Sequence, residues 1–157
     1  MPQPNILNLP DWNVSSVDNR ADETIVTAAY GKYPTTCHKC GSVGNLLDGV
    51  LLKFGSTKLS IVDLPAYGTR TTILVTRQRY RCRDCKATFV QPLPDVDDRG
   101  TMTRRLVRYI EKESLRKTFV DIAKQVGITE GTVRNVFHSY VERLEKTVTR
   151  TVPFTES

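Results

Sequence analysis

Between Phe119 and His138 the apolar positions recur with helical spacing. Phe119, Ile122, Ala123 and Val126 lie on one face of a 3.6-residue period, and Val133, Val136 and Phe137 repeat the pattern after a break. Gly127 makes the break, at a position where a left-handed backbone is cheapest without a Cβ. Ile128 fills the corner. Thr118 with Asp121 forms a start signal for the first helix, and Thr129 can cap the second through a free backbone N–H. Two helices crossing closely at a small residue, Ala123, are the pattern of a helix-turn-helix. A further helix is expected from Thr103 to Ser114, with Leu106, Val107 and Ile110 inward and Arg104, Arg105 and Arg108 outward.

Upstream the period changes to two. Trp12, Val14 and Val17, then Ile25 to Tyr30, read as strands either side of a polar turn at Asp18–Asp22. Apolar patches at Val50–Leu52 and at Leu59, Ile61, Val62 and Leu64 follow, then a long strand from Ile73 to Tyr80. Trp12, the single tryptophan, suits the edge of a small core better than a base-stacking role. Gln91–Gly100, with two prolines, three aspartates and a glycine, separates the two periodicities. The expected fold class is α+β: a small zinc-ribbon-like antiparallel β domain, then a three-helix helix-turn-helix domain. The expected division is a flexible lead at 1–11, the β domain at 12–94, a linker at 95–102, the helical domain at 103–148 and a tail at 149–157.

Cysteine spacing adds the first chemistry. Cys37-His38-Lys39-Cys40 and Cys82-Arg83-Asp84-Cys85 are two C-x-x-C turns that use all four cysteines of the chain. Zinc takes four soft ligands in a tetrahedron, and two such turns face to face supply them. A pair of disulfides would need an oxidising compartment, and a redox pair would need a βαβ setting and no second pair. One structural Zn²⁺ held by Cys37, Cys40, Cys82 and Cys85 is therefore expected, closed by four thiolates. His38 reads as a solvated bystander.

Charge points to the partner. The 157 residues carry 23 Lys and Arg against 17 Asp and Glu. Through Gly100 there are 12 basic and 10 acidic residues; beyond it there are 11 and 7, so the helical part is the more basic. That bias suits a double-stranded DNA partner. The outward residues expected to meet DNA from the second helix of the pair are Thr129, Glu130, Thr132, Arg134, Asn135 and His138, where Arg can pair with guanine and Asn with adenine. Arg104, Arg105, Arg116, Lys117 and Lys124 are placed on phosphates. Arg77, Arg79, Arg81 and Arg83 alternate along the strand entering the second cysteine pair, so they share a side. That stripe fits a phosphate backbone or a solvated edge equally well. Six to eight phosphate contacts give a slope of log affinity against log salt of roughly −5 to −7.

Asp95, Asp97 and Asp98 do not make a two-metal nuclease site, because such sites need carboxylates held rigidly on different elements. No apolar run reaches membrane-spanning length and no segment resembles a signal peptide, so a soluble intracellular protein is expected. A stripe of Val133, Phe137, Tyr140, Leu144 and Val148 outruns a minimal recognition helix. It suits a homodimer or a connection to a further domain, with packing on the first helix as the alternative.

The order of these features resembles the N-terminal half of the ISL-three family of insertion-sequence transposases. The matching residues are Cys37–Gly41, Asp63–Gly68, Arg77–Cys85, Phe89, Leu93-Pro94 and Ile122–Val136. The resemblance implies a bacterial, cytoplasmic, nucleoid-associated protein that binds transposon ends. It also implies that a catalytic domain of ribonuclease H type, with its acidic triad, would begin about where this chain stops, so no enzymatic activity is expected of these residues. A zinc-containing transcription regulator binding an operator as a dimer would use the same parts.

Overall fold

Strand formation follows the period-two segments. The computed structural model describes residues 6–42, 49–66 and 68–151. β1 (Trp12–Asn19) and β2 (Glu23–Tyr30) form an antiparallel pair. β3 (Leu51–Ala66) and β4 (Thr69–Cys82) form a long antiparallel hairpin, and β5 (Thr88–Val90) pairs with the end of β4. The helices α1 (Arg104–Glu113), α2 (Phe119–Val126) and α3 (Glu130–Thr151) follow. The α+β class is as expected, but the sheet is not purely antiparallel. It has five strands in the order β1-β2-β4-β3, with β5 beside β4, and β2 runs parallel to β4 through Glu23–Arg70 to Ala28–Val75. Parallel neighbours need a long crossover, and here the first cysteine turn and β3 lie within it.

The hairpin links three small cores. Ile61, Ile73 and Val75 join Trp12, Val26, Ala28 and Tyr30 in one. Val62 and Leu64 reach a second, formed by Met102, Leu106, Ile110, Ile122, Ala123, Val126 and Val133. At the far end Leu51, Tyr80 and Cys82 gather with Cys37 in a third. Trp12 is indeed a core anchor: it is buried, tilts against Tyr30 at 5.5 Å and donates Nε1–H to Asp95 at 2.8 Å.

Two stretches that lack periodicity are built into this framework. Leu7, in the proline-rich lead, is buried in the first core. Gln91 and Leu93, at the end of the expected β domain, are buried, and so is Val96 in the segment expected to be a linker. Gln91 Nε2 donates to the carbonyls of Tyr30 and Lys32, so its amide joins the end of β2 to the end of β5. Asp95 and Asp97 are built into the framework, while Asp98 stays solvated. Asp95 receives Trp12, Asp97 accepts from the backbone N–H groups of Thr101 and Met102, and Asp98 pairs with Arg104 at 2.9 Å. Residues 101–103 then add to β3, with Val62 N–H donating to the Thr101 carbonyl and Thr103 N–H to the Val62 carbonyl.

Thr103 caps α1 by accepting from Leu106 N–H at 3.3 Å. Its own hydroxyl donates to Asp63 at 2.7 Å. Asp63 also receives both Nε and NH2 of Arg105, whose NH1 reaches the Leu7 carbonyl. The carboxylate raises the Arg105 pKa further, chiefly through that hydrogen bond. One buried acid thus fastens the sheet, the first helix and the N-terminal segment together.

Candidate metal centre and nucleic-acid interface

The two C-x-x-C turns fold alike. In each, the residue after the second cysteine donates its N–H to the carbonyl of the first: Gly41 to Cys37 and Lys86 to Cys82, both at 3.0 Å. Those residues take left-handed backbones, with φ of 74° at Gly41 and 65° at Lys86. The first turn leaves β2 behind by several residues, whereas the second is carried directly by β4 and β5. β-sheet pairing therefore places the second turn.

All four Sγ atoms lie within 4.8 Å of one another. Cys37 and Cys85 are 3.5 Å apart and Cys40 and Cys82 3.7 Å. A tetrahedral ion with metal–sulfur bonds of about 2.3 Å has sulfur–sulfur edges of about 3.8 Å, so the spacing fits a bound ion and is far too long for disulfides. Cys37 Sγ accepts the N–H groups of Cys40 and Lys39, and these, Cys40 first, hold its thiol below the ordinary value. Ser42, whose Oγ is 3.2 Å from the Cys40 sulfur, brings that thiol down to about 6. At Cys85 the Ala87 N–H works in the lowering direction, but desolvation and the other three thiols outweigh it and push it up to about 11. Four crowded sulfurs without a cation resist shared negative charge. A divalent ion removes that conflict, so Cys37, Cys40, Cys82 and Cys85 can hold a metal. His38 is exposed and lies outside the cluster of four sulfurs; its ring stacks on Phe89 at 4.4 Å, and Phe89 in turn stacks on Tyr80 at 5.8 Å.

The helix-turn-helix forms for local reasons. Thr118 caps α2 by accepting from Asp121 N–H at 3.1 Å, and Gly127 ends it with φ 83°. A Cβ at Gly127 would lie 2.7 Å from Cδ of Arg70, which folds over the turn from the start of β4. Glycine is thus required there twice, by backbone conformation and by close approach. Thr129 accepts from Thr132 N–H at 3.2 Å and starts α3. Val133 is fully buried against α2, and Phe137 meets Phe119 at 5.4 Å.

The outward face of α3 carries Glu130, Gly131, Arg134, Asn135 and His138, all exposed. Thr132 is half-buried, and its Oγ lies 2.8 Å from that of Thr129. Arg134 pairs with Glu130 at 2.6 Å, one turn back on the same helix. Thr132 and Asn135 open onto a groove of about 750 Å³ between α3, α1 and residues 97–101. Arg99, Arg104, Arg108 and Arg143 also line it. Arg99 and Arg143 were not among the expected contacts: Arg99 lies in a turn with no period to orient it, and Arg143 lies beyond a minimal recognition helix.

Several expected phosphate contacts are engaged elsewhere. Arg105 does not face outward as α1's period suggests; it is committed to Asp63, with 27% of its side chain exposed. Arg104 donates Nε to the Pro94 carbonyl and pairs with Asp98, though it stays half-exposed. Arg116 and Lys117 both pair with Glu113, at 2.6 and 2.9 Å, and remain reachable from solvent. Together, Lys117 first, they hold the Glu113 carboxyl below the usual carboxylate range. Lys124 is exposed on α2.

On β4 the alternation holds, but Arg77 leaves the stripe. Its Nε donates to the Gln91 carbonyl at 2.7 Å, and partial burial lowers its pKa. Arg79 and Arg81 stay on the open face, with Arg83 nearer the cysteine turn against Gly49. The long stripe on α3 ends in the open: Leu144 and Val148 are exposed, and Arg143 beside them pairs with Glu111 of α1. The helix continues to Thr151, within the stretch read as a tail; residues 152–157, and Tyr67 of the Asp63–Gly68 motif, lie outside the described residues.

Among the described residues no helix is long and apolar enough to cross a membrane. No curated protein and no solved structure matches the chain. Residues 91–141 match the family model of the helix-turn-helix domain of transposase family ISL3. The matched segment begins at the buried Gln91, includes the Asp97 turn and the Thr103 cap, and extends through the exposed face of α3. Residues 91–141 are thus similar to the helix-turn-helix domain of the ISL3 transposase family, a likeness that supports DNA as the partner of this region.

Proposed function

We propose that the chain is the sequence-reading part of a transposase and that its target is the terminal repeat of a mobile element. What carries this is the combination of the family match with the open face of α3. Asn135, His138 and Arg134 project from a helix whose opposite side is locked to α2, as a helix seated in a major groove requires. Asn135 suits the N6/N7 edge of adenine. Arg134 suits guanine once released from Glu130. Arg99, Arg108, Arg116 and Lys124 supply phosphate contacts around the groove, and Arg79 and Arg81 extend the basic surface along β4.

The ion that suits the cysteine cluster is zinc, since a closed all-thiolate tetrahedron is a structural zinc site. When bound, it would cross-link the turn after β2 to the turn between β4 and β5. It would hold β5 in place, and through Gln91 the start of the matched region.

Selection of duplexes from a random pool tests this. A single enriched motif, present in the inverted repeats that flank the gene, supports the proposal. Enrichment of no motif refutes sequence reading, and a motif found only at a promoter refutes the transposon-end assignment.

A further inference from the structure

The two faces of the sheet beside the cysteine cluster differ. Tyr80, Cys82 and Leu51 turn towards the buried side. The other face presents Leu52 and Phe54 from β3, Arg79 and Arg81 from β4, and Val90 from β5, with Leu52 opposite Arg81 and Val90 opposite Arg79. Phe54 is 45% exposed. It stands at a bulge, where the β3–β4 register slips between Lys53 and Ser56 and Gly55 takes φ 85°, open to glycine and strained for other residues. The guanidinium carbons of Arg79 and Arg81 lie 5.8 and 5.6 Å from the ring centroid.

A solvated edge needs the arginines but not the phenyl, and a protein-docking patch needs the phenyl but not two cations against it. An aromatic ring between two phosphate-binding side chains matches a nucleotide strand: stacking on the base and charge on the backbone. Bases within a duplex offer no free face to such a ring, so the strand must be unpaired there. We propose that Phe54, flanked by Arg79 and Arg81, is a stacking platform for an unpaired base of single-stranded or frayed DNA. The proposal rests on DNA being the partner, and it assigns the sheet a ligand different from the duplex read by α3.

The test uses the full chain with its metal bound and two probes: a labelled oligothymidine and a short duplex carrying the sequence selected by α3. The wild type is expected to bind both. Phe54→Ala should weaken oligothymidine binding roughly tenfold, the effect of losing one stacked base, and leave the duplex unaffected. Phe54→Trp should restore strand binding, which also shows that the bulge tolerates substitution. Unchanged oligothymidine binding by Phe54→Ala overturns the proposal, as does a wild type that binds the duplex but not the strand. A wild type that binds neither refutes the DNA-binding reading and this inference with it.

Discussion

Replacing Asp63 with alanine removes the one carboxylate that joins sheet, helix and N-terminal segment. Its side chain is 2% exposed and accepts three hydrogen bonds, two from the Arg105 guanidinium and one from Thr103. Breaking a buried ion pair by removing one partner costs about 3–5 kcal/mol, largely because the surviving charge is stranded. Arg105 keeps 27% of its side chain in solvent and a hydrogen bond to the Leu7 carbonyl, so it is partly rehydrated. The low end, about 3 kcal/mol, is therefore expected. In a chain of this size that corresponds to a fall in Tm of roughly 6–12 °C. Urea unfolding at fixed metal concentration measures it. The double variant Asp63→Leu with Arg105→Met removes both charges at similar volume and should recover most of the loss. A loss below about 1 kcal/mol for Asp63→Ala, the range of an exposed pair, would refute the reasoning. So would a double variant no more stable than the single one.

Gly127→Ala should cost about 1–2 kcal/mol from the left-handed backbone alone, with more from displacing Arg70, again read by urea unfolding. Asn135→Ala should weaken the selected duplex by about 1–3 kcal/mol and leave random duplex nearly unchanged; equal weakening of both makes Asn135 a phosphate contact. Glu130→Ala frees Arg134 and removes a negative charge from the DNA face, so binding to random duplex should tighten, by an amount that shrinks as salt is raised. Glu113 has a lowered pKa in the folded state, so its contribution is present above the ordinary carboxylate value and disappears as pH falls through the lower one. Glu113→Gln should therefore flatten the acid limb of a stability–pH profile and change little once the pH lies below the lowered folded value. One metal ion per chain is expected by elemental analysis, with affinity falling as acid reprotonates the thiolates and with stoichiometry lost in Cys82→Ser.

The helix-turn-helix was legible because its determinants are local. Caps at Thr118 and Thr129, the glycine at 127 and the apolar period lie within twenty-odd residues, and each specifies the backbone beside it. The cysteine cluster was legible for a different reason, since metal ligation forces two distant turns together whatever lies between. Long-range polar partners left no such trace. Arg105 occupies an outward position by helical period, yet its partner is 42 residues away on β3. Gln91–Gly100 has the composition of a linker, and only the shape of the first core shows that Leu93 and Val96 complete it. The β2–β4 pairing was hidden as well, because alternation marks a strand without naming its neighbour or its direction.

Equilibrium binding of the metal-loaded chain to the selected duplex and to a scrambled duplex, over a range of salt, tests the central claim most directly. With Arg105 withdrawn and Arg104 tied to Asp98, and with Arg79 and Arg81 assigned to an unpaired strand, the four phosphate contacts proposed at Arg99, Arg108, Arg116 and Lys124 remain, and the slope of log affinity against log salt should be roughly −3 to −4 on the selected site. The selected duplex should stay the tighter binder at every salt concentration. A slope near zero, or the same affinity for both sequences throughout, would contradict a DNA-reading helix at residues 130–140.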